Sequence, residues 1–183
     1  MFGRRRLALD DPGIDLRVLG VDQGLVAVEL SGIETGKTRA RFEDGMFYLW
    51  HDTVEVSDEN KEAGNVFWAG GGACAIDRKK FLEIGGFDSL YHPFYVEDVD
   101  LSYQAWKRGW SSLFAPASRV LHKHRATTAR KFGDLFVNNT TRRNHFLFVW
   151  KNLTDTGMLI EHLVQLPSIQ DRKSTRLNSS HRT

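Results

Sequence analysis

The strongest constraint on the fold is a pair of short helices that the sequence starts and stops by itself, set among short apolar runs. Asp77 is placed to cap a helix over residues 78–84, and Gly85-Gly86 stops it. A second helix starts near Glu97, carries Leu101 and Ala105 on one face, and reaches Arg108 before Gly109 ends it. Strand-like runs surround them: Leu25–Leu30, Ala73–Ile76, Trp110–Phe114 and, after the Pro116 turn, Arg119–His124. Strands alternating with short helices predict an α/β domain. Further on, Lys131–Asn152 is predicted helical, with Phe132, Leu135, Phe136, Phe146, Leu147 and Trp150 as its apolar face. Met158–Leu166 is predicted as one more amphipathic helix. Residues 33–64 alternate irregularly and look like a long connection with room for one amphipathic strand.

Composition narrows the class. A chain of 183 residues, 41% hydrophobic, has room for one real core. The single cysteine, Cys74, excludes a disulfide framework and a multi-cysteine zinc site, and fits a reducing compartment. The apolar stretch Phe146–Trp150 is far too short for a membrane span. Arg4, Arg5 and Arg6 precede only Leu7–Leu9 before Asp10, so no signal peptide is expected. The net charge of +2 misleads, because the tail from Asp171 carries four cations and one acid. The first 170 residues hold 21 basic and 22 acidic side chains, which removes the charge argument for nucleic acid. Asp171–His181 also resembles the in-frame translation of a widely used sequencing-library adapter. The tail is therefore expected to be disordered or loosely helical, without core contacts.

Several residue groups have chemistry available, each with an ordinary reading beside it. Glu97, Asp98 and Asp100 place three carboxylates in one helical turn. Acids there complement the helix dipole and satisfy free N–H groups, with no further role required. A calcium loop fails, because Tyr103 stands where glycine is needed and Gly109 where glutamate is needed. His122 and His124 share one face of a predicted strand, which suits a metal but is also ordinary. Gly70-Gly71-Gly72 is neither a phosphate loop nor a dinucleotide fingerprint. Trp68, Trp106, Trp110 and Trp150 lie in apolar segments and are expected in the core, as is an inert Cys74. The nucleophile-elbow pattern of hydrolases is absent from the sequence.

Order and spacing add what the separate signals lack. Trp68–His124 contains a glycine-rich strand start, a Gly-Gly-Phe-Asp turn, a Glu-Asp-x-Asp-Leu helix start, an Arg-Gly-Trp strand start and a following strand histidine. This run resembles the C-terminal half of family 2 glycosyltransferases, which are inverting, metal-dependent, nucleotide-sugar enzymes of the GT-A fold. Glu34-Thr-Gly-Lys, and Lys151-Asn152 with Phe148 and Trp150, look like a bacterial subgroup of that family. The resemblance implies Asp98 as catalytic base and Glu97 as its motif partner. It implies His122 as metal ligand, with His124 the weaker choice, and an acceptor border formed by Trp68, Gly71 and Gly72. An inverting transfer needs a carboxylate to take the acceptor proton and a cation, Mn²⁺ or Mg²⁺, to absorb charge on the departing diphosphate.

The expectation is therefore a partial GT-A fold, a mixed sheet flanked by helices, with the N-terminal nucleotide-binding units missing. An irregular lead-in (1–24) would precede a partial glycosyltransferase domain (25–152), a C-terminal helix (153–170) and the adapter-like tail (171–183). The family's Asp-x-Asp motif after a buried strand is not found, so the chain is expected to be truncated at both ends and inactive alone. The implied partners are a nucleotide-diphosphate sugar and a glycan or lipid-linked acceptor, with no nucleic acid. The role would be in cell-surface polysaccharide synthesis, in the cytoplasm with peripheral contact at the inner membrane. The alternative is a non-catalytic α/β interaction module that lacks a donor site.

Overall fold

The computed structural model describes residues 24–27, 37–52, 64–115 and 128–179. Two strand systems, five α-helices and a short 3-10 helix (Ser89–Tyr91) occupy them. β1 (Gly24–Ala27), β4 (Gly64–Val66) and β5 (Ser111–Phe114) form a mixed sheet in the order β1-β5-β4. β5 is central, parallel to β1 with Gly24 opposite Ser111, and antiparallel to β4 with Val66 opposite Ser112. β2 (Lys37–Glu43) and β3 (Met46–Asp52) make a separate antiparallel hairpin.

That hairpin replaces the irregular connection expected over residues 33–64. Its signal was Asp44-Gly45, whose φ values of 51° and 74° make the turn that matches the twist of two paired strands. Arg39, Arg41, Tyr48 and Trp50 face solvent in alternation with the more buried Thr38, Ala40, Phe42, Phe47 and Leu49, and the two exposed aromatics hide that alternation in the sequence.

The helices follow the local signals closely. α1 (Arg78–Ile84) is capped by Asp77, whose carboxylate accepts from the Lys80 N–H. Gly85 ends it at φ 99°, a left-handed conformation that a Cβ would penalise. α2 (Glu97–Trp106) buries Leu101 and Ala105 and packs against β5 and α1. The expected long helix over 131–152 is divided at Gly133 into α3 (Thr128–Phe132) and α4 (Asp134–Asn152). α5 (Thr156–Ser179) begins as expected and continues as helical backbone across the first part of the adapter-like tail.

The main core joins the hairpin to α2 and α4 through Phe47, Trp68, Tyr91, Val96, Val99, Phe148 and Val149. Phe47, Tyr103 and Phe148 meet pairwise edge-on, with centroids 5.3–5.8 Å apart. Val66, Ala69 and Phe114 form a smaller cluster, with Cys74 packed on it.

Two further expectations are corrected. Ala73–Ile76 is not a strand: the Gly70–Gly72 turn, closed by the Ala73 N–H on the Gly70 carbonyl, leads straight to the Asp77 cap. Those small side chains find no neighbouring strand to pair with in the described sheet. Trp150 is 59% exposed rather than in the core, because α4 turns Phe148 and Val149 inward instead. The Arg119–His124 strand lies outside the described residues.

Candidate functional site

The carboxylates at the start of α2 are presented by a strained loop. Tyr95 and Val96 adopt φ values of 71° and 77°, and for a β-branched valine that conformation is unfavourable. Asn144 of α4 holds the loop in place. Its fully buried amide nitrogen lies 2.7, 2.9 and 2.9 Å from the carbonyls of Tyr91, Phe94 and Tyr95, which share its two N–H donors. The Arg143 guanidinium donates to the Asn144 side-chain oxygen and to the His92 carbonyl. That contact fixes which end of the amide faces the loop.

Past the loop, α2 grips the glycine-rich segment by one stripe of side chains. Asp98 accepts from the Gly71 N–H at 2.8 Å, Ser102 from the Ala69 N–H at 3.0 Å, and Trp106 donates to the Phe67 carbonyl at 3.0 Å. Four residues of helix rise about 6 Å and two extended residues span roughly 6.6 Å, so the two spacings stay in step. From the opposite side Thr38 bonds both backbone groups of Trp68, at 2.7 and 2.9 Å.

Asp98 therefore has one oxygen on Gly71 and the other on the Val99 N–H, at 2.8 Å. Burial raises its pKa above the ordinary carboxylate value, although these N–H groups and nearby His51 favour the charged form. Glu97 is also raised, chiefly by burial, and its buried Oε2 has no hydrogen-bond partner among the described residues. The Cys74 thiol is pushed up to about 11 by burial and by the Asp98 charge, so it is no thiolate nucleophile near neutrality.

Asp100, two residues on, belongs to a different assembly. It is 3% exposed, accepts from Lys151 at 2.6 Å and from Asn152 at 2.7 Å, and so ties α2 to α4. Lys151 also bonds Asp88, in the turn after α1, at 2.8 Å. Burial opposes its charge, but the two carboxylates win and hold the ammonium above its usual range.

Of the sequence-derived site residues, the structure joins Glu97, Asp98 and Gly71. Trp68 is buried beside them, its ring 5.0 Å from His51, and Gly72 is exposed in the same turn. His122 and His124 lie outside the described residues. Among the described residues, no three His, Cys, Asp or Glu side chains assemble as a metal site. Sequence reasoning missed His51, whose neighbourhood depends on the hairpin that was read as a connection. It also missed Asn144, a polar residue in a helix whose apolar spacing drew the attention.

Curated proteins similar to this chain agree in kind. N-acetylglucosaminyl-diphospho-decaprenol L-rhamnosyltransferase of Mycobacterium tuberculosis is 40% identical over 65 residues, covering 36% of this chain and 21% of that protein. N-acetylgalactosaminyltransferase 7 of Drosophila melanogaster is 33% identical over 101 residues, 53% of this chain and 17% of that protein. Polypeptide N-acetylgalactosaminyltransferase 3 of the same fly is 39% identical over 62 residues, 34% of this chain and 9% of that protein. The chain is a relative of glycosyltransferases. It matches about a fifth or less of these relatives' length, and no family model matches it. Its mixed α/β architecture is consistent with part of a glycosyltransferase domain.

Proposed function

We propose that this chain forms the acceptor side of an inverting glycosyltransferase of family 2 and GT-A fold, with Asp98 as its general base. The observation that carries the reading is Asp98 itself: a carboxylate raised by burial, pinned to the Gly71 N–H at the edge of a glycine-rich turn. A carboxylate with a raised pKa holds an accepted proton more firmly, which is what a general base needs.

In the proposed step Asp98 takes the proton of an acceptor hydroxyl as its oxygen bonds to the anomeric carbon. The bond from that carbon to the nucleoside diphosphate breaks, and its electron pair leaves with the diphosphate. Gly71 keeps the Asp98 carboxylate aimed, and Glu97 beside it keeps the site acidic. Gly72 and the edge of Trp68 would border the acceptor. The acceptor class is a glycan or lipid-linked hydroxyl, as the decaprenol in the mycobacterial relative's name suggests, and the setting is cell-surface polysaccharide synthesis. Mn²⁺ or Mg²⁺ with His122, or less favourably His124, enters on the resemblance alone. The described residues do not by themselves make that site, and no step is derived through the metal.

The test is Asp98→Asn in a protein that joins this chain to a nucleotide-binding half. Transfer is expected to fall by about 10²–10⁴, with nucleotide-sugar affinity nearly unchanged. The product anomer, read by NMR, should be inverted relative to the donor. An undiminished rate, or a retained configuration, refutes the assignment. Calorimetry of the 183-residue chain alone with UDP and Mn²⁺ is expected to show no tight binding.

A further inference from the structure

The N-cap of α2 is Val96, left-handed and without a side-chain hydrogen bond to offer the first helical turn. What fastens that turn lies on α4. Lys151 donates to Asp100 at 2.6 Å and to Asp88 at 2.8 Å, and its ammonium is 5.6 Å from the Tyr91 ring centre. Asp88 and Tyr91 precede the strained loop and Asp100 follows it. One cation therefore brackets the whole segment that carries Glu97 and Asp98. Asn152 extends the contact along α2. It donates to Asp100 at 2.7 Å and accepts from Gln104 at 2.6 Å, and its carbonyl accepts from Lys107 at 3.1 Å. Asp100, Gln104 and Lys107 follow one another at helical spacing, so α4 grips α2 along a line.

Direction is what this network adds to the packing. Val99, Leu101 and Ala105 are buried on α2, but apolar burial is non-directional and by itself sets the rotation of a helix only loosely. Charge-assisted bonds to a carboxylate that is 3% exposed set it closely. Asp98 and Asp100 stand about 200° apart on the helix. A turn of α2 that loosens Asp100 from Lys151 therefore swings Asp98 against the Gly71 N–H. At a radius of about 5–6 Å, a rotation of roughly 10° moves a side-chain atom about 1 Å. Misplacement on that order can cost about 10²-fold in rate. Stability gives the network no reason to be ionic, because an apolar pair of similar size is often as stable as a buried ion pair.

We propose that Lys151 is a positioning residue: through Asp100 and Asp88 it sets the rotation of α2 and so aims Asp98. The effect on transfer rests on the reading of Asp98 as general base, whereas the effect on geometry does not.

Geometry is tested on the 183-residue chain through the NMR resonance of the Gly71 amide, which donates to Asp98. Asp98→Ala gives the position of that resonance without the bond. Lys151→Met combined with Asp100→Leu replaces both charges by apolar groups, which should return the melting temperature lost in Lys151→Met alone. The Gly71 amide of this double variant is nonetheless expected near its Asp98→Ala position. A Gly71 amide at the parent position in the double variant overturns the proposal. Should the double variant fail to fold, Asp88→Asn decides, since it alters only the half-exposed end of the network. It should move the amide in the same direction, and no movement there overturns the proposal equally. In the protein joined to a nucleotide-binding half, the double variant should lose about 10²-fold in kcat, with both KM values within about threefold of the parent's. Full kcat alongside a restored melting temperature would make Lys151 a stabilising residue only. If Asp98→Asn instead transfers at the parent rate, the base reading falls while the Gly71 result stands.

Discussion

Burial around Asp98 disfavours its charge more than Gly71, Val99 and His51 favour it, and Glu97 is raised for the same first reason. A carboxyl raised in the folded state binds more protons there than in the unfolded chain. Its contribution to stability therefore falls as pH rises from about 4, the unfolded value, through the raised folded value. Asp98→Asn removes one of the two groups, so melting temperatures measured across that window should decline less steeply in the variant. An unchanged slope would show that Asp98 titrates as it does in the unfolded chain. Asn144 is the other residue on which the site depends. Asn144→Ala leaves buried loop carbonyls without their donor and is expected to cost about 1–3 kcal/mol in urea unfolding. The strained Tyr95 and Val96 conformations should relax with it, so transfer activity in a complete enzyme should fall as well.

At the scale of elements, α2 acts through two opposed faces. Asp98, Ser102 and Trp106 hold the glycine-rich segment, while Asp100 faces α4 through Lys151 and Asn152. Two residues along a helix of 3.6 per turn are about 200° apart, so neighbouring acids reach different partners. Ser102→Ala deprives the buried Ala69 N–H of its acceptor and should cost about 1–3 kcal/mol. Amide exchange at Ala69 should accelerate more than exchange within α1, which the stripe does not touch. Equal acceleration in both would mean that Ser102 supports the fold in general rather than this segment.

For the whole molecule, α5 is fastened to the far turn of the hairpin. The Gly45 N–H donates to Glu161 at 2.9 Å, and the Gly45 carbonyl accepts from His162 Nδ1 at 2.6 Å. The other His162 nitrogen then accepts from the Trp150 indole at 2.9 Å, which explains why an exposed tryptophan on α4 still has a structural role. A Cβ on Gly45 would lie 2.8 Å from the His162 Cα, at a φ of +74°. Gly45→Ala should cost more than the roughly 1–2 kcal/mol of a left-handed alanine. It should also free α5, seen as faster proteolysis within Thr156–Ser179 while α2 stays protected. Protection of α5 equal to the parent's would show that the latch is dispensable.

The sequence by itself determined the elements whose signals are local. The Asp77 cap, the Gly85 stop, the start of α2 at Glu97 and the strand after Gly109 each depend on a few adjacent residues and backbone sterics, so they were legible. It also marked Glu97, Asp98 and the glycine-rich turn as a candidate site, from residue types in order. Tertiary structure decided what depends on partners distant in the chain. It denied Ala73–Ile76 a strand, because strand pairing needs a neighbour that no local pattern supplies. It turned Trp150 outward, because two of its neighbours on α4 filled the core. And it separated three adjacent acids into two at a prospective site and one in a buried ion pair, because the pKa and role of a carboxylate follow from what the fold packs against it.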